Sequence, residues 1–310
     1  MILTVTLNSA LDLTYRVAGL AVHGSNRVEE ASERPGGKGL NVARVLAGLG
    51  HDAVVTGLVG GGTGAALRAM LAAEGSVTDA LVSVDGATRR TVGVVDTATG
   101  DTTQLNEPGP HVTSHEWEAL LERYADLLPG ADAVALCGSL PPGVPVGAYA
   151  RLVRDARDAG VPVLLDTSGE PLRRGLAARP DVVKPNAEEL AGVTGITGST
   201  APLRAARAAQ RRGARAVVAS LGAQGLIAVT QEGSWRAVPP ESLSGNPTGA
   251  GDSAVAGLLS GLVEDLPWPD RLARAVALSA ATVRAPAAGE FDPETYDAVL
   301  PRVKVNEQLP

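Results

Sequence analysis

Short runs of β-branched and aliphatic residues recur along the chain, each followed by a stretch whose apolar positions return every three or four residues. The first pattern is that of a strand buried on both faces, and the second that of an amphipathic helix. Strands are predicted at Ile2–Leu7, Ala53–Val59, Ala133–Cys137, Val163–Asp166, Val182–Lys184, Ala216–Ser220 and Leu226–Val229. Helices are predicted at Leu40–Leu49, Ala65–Ala73, Ser114–Leu127, Val146–Ala159, Pro171–Ala178, Leu203–Arg212 and Arg271–Val283. Thr113 and Glu116 have the spacing of a capping box. Gly50, Gly160 and Gly213 stand where helices end. This alternation predicts βαβ units and an α/β fold with a mostly parallel sheet flanked by helices.

Two segments break the rhythm. Residues 11–34 and 88–106 are strand-like and polar-interleaved, with no helix between strands. The second contains Arg90–Asp96 and Asp101–Leu105 around Thr99-Gly100, a hairpin signature. Together they predict a small inserted β-sheet, a lid or a dimer contact, because its edges and one face need cover. No repeat or low-complexity linker divides the chain, so residues 1–310 are expected to form one unit.

Composition narrows the partners. The chain has 310 residues, an apolar fraction of 45%, aromatics at 3% and a formal net charge of -7. A core of Ala, Val and Leu follows, with little aromatic surface for stacking bases. The net charge and the lack of long basic runs argue against a nucleic-acid partner. Cys137 is the only cysteine and falls in an apolar strand, so no intrachain disulfide can form. No apolar run approaches the roughly 18 residues of a membrane span. The N-terminus has the pattern of a first strand rather than a signal peptide, so a cytoplasmic location and no membrane partner are expected. The four histidines lack metal-ligand spacing.

The candidate chemistry sits in glycine-rich turns. In Thr248-Gly249-Ala250-Gly251-Asp252-Ser253, two glycines leave the backbone bare, and the pattern from Ala254 to Leu262 predicts a helix. Its first N–H groups point outward at the positive end of the helix dipole, which suits a phosphate. Asp252 beside them could take a proton from an attacking hydroxyl while the amides hold the transferred group. An Asp that only stabilises the first helical turn is the plainer alternative. Gly36-Gly37-Lys38-Gly39-Leu40-Asn41 opens the first long helix, where Lys38 and Asn41 can donate to hydroxyls or phosphate; a flexible helix start is the alternative. Gly60-Gly61-Gly62-Thr63-Gly64-Ala65 matches G-x-G-x-x-A, but it does not follow the first strand and no acidic residue ends the next one convincingly, so a dinucleotide site is not expected. Lys184-Pro185-Asn186-Ala187-Glu188-Glu189 follows a strand; Asn186 and Glu189 either cap a helix or hold hydrated magnesium. Ser220-Leu221-Gly222-Ala223-Gln224-Gly225 is either a hairpin turn or room for a nucleotide phosphate. Arg27, Arg89 and Arg90 fall on the lid segments, where a guanidinium could grip a phosphate if the lid closes.

These pieces, with Asn8-Ser9-Ala10-Leu11-Asp12 and Gly138-Ser139-Leu140-Pro141-Pro142-Gly143, occur in the same order in the ribokinase-like (PfkB) family of carbohydrate kinases. The chain resembles that family over essentially its whole length. Within it the chain is most similar to the branch of 1-phosphofructokinases and tagatose-6-phosphate kinases. Two departures are Ser9, where that branch usually has Pro, and Pro247 before Thr248. The resemblance implies one ribokinase-like kinase domain over 1–310 with the lid inserted, using ATP and magnesium. It implies that Asp252 is the base and that the amides of Gly249, Ala250 and Gly251 form the anion hole. Asp12, Gly37, Asn41 and Ser139 would bind the sugar. Arg89 would hold its existing phosphate, with Arg27 and Lys38 as helpers, and Arg90 beside it leaves open which arginine makes the contact. Lys184, Asn186, Ser220, Gly222 and Gly225 would serve the ATP site, with Asn186 and Glu189 acting on magnesium through water. The implied reaction is phosphorylation of fructose 1-phosphate to fructose 1,6-bisphosphate. Tagatose 6-phosphate or fructose 6-phosphate is the alternative substrate, and a non-catalytic sugar-phosphate sensor the alternative class. A homodimer through the lid is expected.

Overall fold

The structure is a computed structural model describing residues 1–198, 202–241, 243 and 245–308. From the N-terminus run β1 (Ile2–Thr6), β2 (Ala10–Val17), β3 (Glu30–Gly36), α1 (Lys38–Gly48), β4 (Ala53–Gly60), α2 (Gly61–Glu74), β5 (Thr78–Asp79), β6 (Val82–Val84), β7 (Arg89–Asp96) and β8 (Thr102–Asn106). The middle of the chain supplies α3 (Ser114–Leu127), β9 (Ala133–Cys137), α4 (Ala148–Asp158), β10 (Val163–Asp166), α5 (Gly169–Ala177), β11 (Val182–Val183), α6 (Ala187–Thr194) and α7 (Pro202–Gln210). The remainder is β12 (Ala216–Ser220), β13 (Leu226–Val229), β14 (Ser234–Val238), α8 (Ala250–Val263), α9 (Trp268–Arg284), α10 (Pro293–Val299) and β15 (Lys304–Glu307).

The main sheet has the order β15-β14-β13-β12-β11-β10-β9-β1-β4-β5, with β6 also on β4. It is parallel from β12 to β5 and antiparallel from β12 to β15. Because side chains alternate along a strand, each buried strand feeds two cores. Leu3, Val5 and Leu7 pack with Leu120, Tyr124, Tyr149 and Leu152 of α3 and α4. Ile2, Ala133 and Ala135 pack on the other side with Leu40, Leu46, Leu258 and Leu259 of α1 and α8. Helices therefore cover both faces, which is why the central strands have nearly continuous apolar sequence. No helix among the described residues is long and apolar enough to cross a membrane.

A second sheet, β3-β2-β7-β8, stands apart. β2 pairs antiparallel with β3 and parallel with β7, and β8 closes the predicted hairpin antiparallel to β7. The hairpin turn is fixed by Asp96, whose carboxylate accepts from the N–H groups of Ala98 and Thr99. Asp12 and Thr91 face each other across β2 and β7 in register, with Arg89 on the same face two residues earlier.

Several sequence expectations shift. The Gly61–Gly64 run is not a loop but the first turn of α2. At its strand–helix junction the Gly60 N–H donates to Thr88 Oγ1 at 2.9 Å, and Thr63 Oγ1 donates to Thr88 O at 2.6 Å. The helix expected at Val146–Ala159 begins at Ala148, α6 is the helix that the Asn186–Glu189 cap offered as one reading, and β5, β6, α10, β14 and β15 were not predicted. β15 is a mostly exposed edge strand of alternating polarity, Lys304-Val305-Asn306-Glu307, and carries no apolar run to announce it.

Candidate active site

The carboxyl ends of the parallel strands deliver the chemistry to one edge of the sheet, as α/β folds do. Asn8 follows β1, Ser139 follows β9, Asp166 ends β10, Lys184 to Asn186 follow β11, and Ser220 ends β12. Two cavities open along this edge. One, of about 800 Å³, is lined among others by Asn8, Lys38, Arg89, Ser139, Thr167 and Glu189. The other, of about 1040 Å³, is lined among others by Asn186, Ser220, Gly222, Gly225, Ala250 and Gly251. The first brings Lys38 and Arg89 together with Asn8 and Ser139 beside an apolar wall of Leu140, Pro141 and Val144. Leu226, Val276, Ala280 and Val283 give the second an apolar wall.

Asp252, in the first turn of α8, is 7% exposed; it directly follows Gly251 of the second cavity, and Lys38 of the first acts on its charge. Its Oδ2 accepts a hydrogen bond from Asn41 Nδ2 at 2.8 Å, which joins the two glycine-opened helices α1 and α8. Burial pushes its carboxyl up to about 6, partly opposed by the Lys38 ammonium and assisted by the Asp166 carboxylate. Gly249, the residue before α8, adopts φ 86°, and a Cβ there would stand 2.9 Å from Ala288. Only glycine fits that turn, and the turn is what exposes the helix N-terminus. The amides differ from expectation in one respect. The N–H of Ala250 donates to Pro247 O at 3.1 Å, so it is occupied. Among the described residues, no backbone acceptor takes the N–H groups of Gly249, Gly251 or Asp252. These three form the free cluster.

The sugar-side residues separate into those the fold gathers and those it does not. Arg89 points into the first cavity, its Nε donating to Asn8 O at 3.2 Å and its Nη1 to Thr91 Oγ1 at 3.1 Å. Arg90 is one residue on in a strand, so it faces away and is exposed. That resolves which arginine lines the cavity. Asp12 stands near Arg89 and Asp252, its carboxyl pushed up to about 6 by burial against the opposing pull of Arg89. Gly37 and Lys38 open α1. Arg27 is the exception: it is exposed in the connection between β2 and β3 and lines neither cavity. Ser139 Oγ accepts from Asn8 Nδ2 at 3.1 Å, and the same amide donates to Pro108 O beside the lid strand β8.

On the other side, Asn186 and Glu189 make the full capping box of α6. Asn186 Oδ1 accepts from Glu189 N and Glu189 Oε2 from Asn186 N, both at 2.8 Å. Both readings of this motif stay open, because the cap leaves Glu189 Oε1 free. Among the described residues no group of three His, Cys, Asp or Glu could hold a metal. This donor set suits only a hydrated cation carried largely by phosphates. Ser220–Gly225 is a hairpin turn between β12 and β13 and also lines the cavity. Gly225 is required there, since a Cβ would stand 2.0 Å from Ala237 O.

Two residues that sequence reasoning did not single out are central. Asn8 ties the lid's return strand to Ser139. Asp166 is fully buried, with Lys38 Nζ at 3.2 Å from Oδ2 and Lys184 Nζ at 3.5 Å from Oδ1. The available signal was an acidic residue ending the apolar run Val163-Leu164-Leu165 at the ligand-bearing edge of the sheet.

A buried carboxylate beside free helix-terminal amides, at the ligand-bearing edge of an α/β sheet, is the layout of a phosphotransferase site. The family described as pfkB family carbohydrate kinase matches residues 3–295, and the chain belongs to it. It is an ATP-dependent carbohydrate kinase. It is 41% identical over 284 residues, 90% of both chains, to a 1-phosphofructokinase of Rhodobacter capsulatus. Its fold is similar to a possible 1-phosphofructokinase of Thermotoga maritima (TM-score 0.92, 30% identity, 100% of both chains). It is also similar to phosphofructokinase-2 of Escherichia coli solved with fructose-6-phosphate (TM-score 0.90, 31% identity, 97% of this chain and 98% of that one).

Proposed function

We propose that the protein transfers the γ-phosphoryl group of ATP to a ketohexose monophosphate, with fructose 1-phosphate as the substrate and fructose 1,6-bisphosphate as the product. The observation that carries this reading is Asp252: one buried carboxylate, oriented by Asn41 and set among amides that no backbone acceptor takes. The sugar occupies the cavity of Arg89 and the nucleotide that of Ser220 to Gly225. Arg89 and Lys38 give an existing phosphate two cationic partners, which a neutral sugar would leave unmatched. Asp12 and Ser139 offer polar atoms to hydroxyls.

In the reaction, Asp252 accepts the proton of the attacking hydroxyl, and the N–H groups of Gly249, Gly251 and Asp252 receive the charge that develops on the transferred group. Positioning and electrostatics do nearly all the work in phosphoryl transfer, so little covalent chemistry is asked of the protein. Asn186 and Glu189 would hold magnesium through water, and the ion would neutralise phosphate charge when bound. The lid of β2, β3, β7 and β8 excludes water, the competing acceptor.

The test is ADP release across phosphorylated and free sugars. Fructose 1-phosphate is expected to give the highest kcat/KM, with fructose 6-phosphate and tagatose 6-phosphate lower and free fructose lower still. Preference for an unphosphorylated sugar would overturn the assignment. We also place a homodimer contact on the lid, where Leu105 is 59% and Val28 42% exposed on a sheet with a free face. Sedimentation at micromolar concentration should give twice the 31.4 kDa chain mass, and a monomer would remove that contact.

A further inference from the structure

Asp166, which joins Lys38 to Lys184, is a buried charge that the mechanism above leaves without a task. Asp166 is 1% exposed at the end of β10, and its two oxygens meet two different ammonium groups. Its Oδ1 has no hydrogen-bond partner among the described residues, since Lys184 Nζ stands off at 3.5 Å. A buried carboxylate with an unsatisfied oxygen is costly. Replacing such a cluster with apolar side chains is often neutral or stabilising, so fold stability alone does not account for it.

The geometry assigns a role. Lys38, half-buried, ends in the sugar-side cavity. Lys184, only 4% exposed, reaches the anion-binding turn: a Cβ on Gly251 would lie 3.6 Å from its Nζ. One carboxylate thus contacts two cations whose charges both act on Asp252. We propose that Asp166 is a positioning residue that holds Lys38 toward the acceptor's side and Lys184 toward the donor's side of the phosphoryl path. This rests on the phosphotransfer reading above. Each ammonium has three donors and gives one direction to Asp166, so the rest stay aimed at phosphate oxygens. A flexible lysine without such an anchor would have to be ordered at each turnover, at the cost of its side-chain entropy.

The charges support the placement. Burial would raise the Asp166 carboxyl, but Lys184 and Lys38 outweigh it and hold it below its usual range. Burial would lower Lys38, but Asp166 and then Asp252 hold it above its usual range. The groups that face Asp252 are Lys38 from α1, Asp166 from β10, Lys184 beyond β11 and Asp12 from β2. Asp166 is a like charge that raises Asp252, so its removal should let Asp252 ionise at lower pH.

The experiment is Asp166→Asn, measured with ATP and the phosphosugar the wild type prefers. Turnover should fall about a hundredfold, the scale of losing one preorganised charge contact. The acid limb of kcat/KM should move to lower pH, a readout that a merely structural defect would not give. Binding of ATP, ADP and AMP, followed by calorimetry, should weaken progressively more as phosphates are added. If the single variant does not fold, Asp166→Asn/Lys184→Met removes both buried charges together. It should stay within about tenfold of Lys184→Met in turnover, because coupled residues do not lose independently. An unmoved acid limb, equal weakening of all three nucleotides, or a full further hundredfold loss in the double variant would overturn the role. The nucleotide-binding series needs no turnover, so it separates failure of this role from failure of the substrate assignment.

Discussion

Asp252→Asn should lower kcat about a thousandfold, near 4 kcal/mol of transition-state stabilisation, while the Kd for the phosphosugar changes little. Asparagine keeps the size of the side chain and an oxygen that can accept from Asn41 Nδ2, so the bridge between α1 and α8 survives. What is lost is the only group at the turn able to take the hydroxyl proton. The pH dependence of the wild type checks the same claim. The Asp252 carboxyl is pushed up from 3.8 to about 6, first by burial, so the base is ionised above that pH and protonated below it. The rate should therefore fall tenfold per pH unit below about 6, set against a flat plateau at neutral pH. Near-normal turnover in the Asn variant, or an acid limb near 4, would show that another group takes the proton.

The raised value also has a consequence for stability. In the unfolded chain the carboxyl titrates near 3.8 and in the folded chain near 6, so folding favours its protonated form. The stabilisation associated with that shift is fully present below 3.8 and is lost as pH rises through 6. At neutral pH the ionised carboxylate is a burden on the fold, and Asp12 repeats the pattern. Two poorly solvated carboxylates beside Lys38, Lys184 and Arg89 are what the proposed reaction would ask of the site at the expense of the fold.

The main sheet was legible because burial on both faces forces long apolar runs, as in β1, β9 and β12. The lid was legible for the opposite reason, since polar-interleaved strands with no helix between them cannot join a parallel sheet. The pairing of β2 with β7 was not, because it joins residues about eighty positions apart through register alone. Local motif and site agreed where a glycine turn also fixes the backbone, as at Gly249. They parted at Ala250, where a turn bond to Pro247 takes the amide the pattern had assigned to the anion hole. Arg27 lines neither cavity for a related reason: sequence places it on the lid, but not on which part of the lid. Asp166 was missed because a lone acid after three aliphatic residues gives no periodic signal, and its partners lie 128 and 18 positions away.

Arg89→Ala should raise the KM for the phosphosugar about thirty- to a hundredfold, or 2 to 3 kcal/mol, and the KM for ATP less than about threefold. The guanidinium is already aimed before any ligand binds: Asn8 O and Thr91 Oγ1 accept from Nε and Nη1, leaving Nη2 free toward the cavity. Burial lowers its tendency to hold the proton, while Asp12 and Glu107 oppose that, so it remains a cation on the sugar side. Losing it would remove a cationic partner of a phosphate that is not the one transferred, so the chemical step should suffer less than binding. Arg89→Lys should recover only part of the loss, because an ammonium cannot reproduce the fork and would release Asn8 O and Thr91. Arg90→Ala, one residue on and facing solvent, should leave both constants near wild type. Equal losses in the KM values for sugar and ATP on Arg89→Ala would mean that the guanidinium holds the lid in place rather than the substrate, and the preference for a phosphorylated sugar would then need another source.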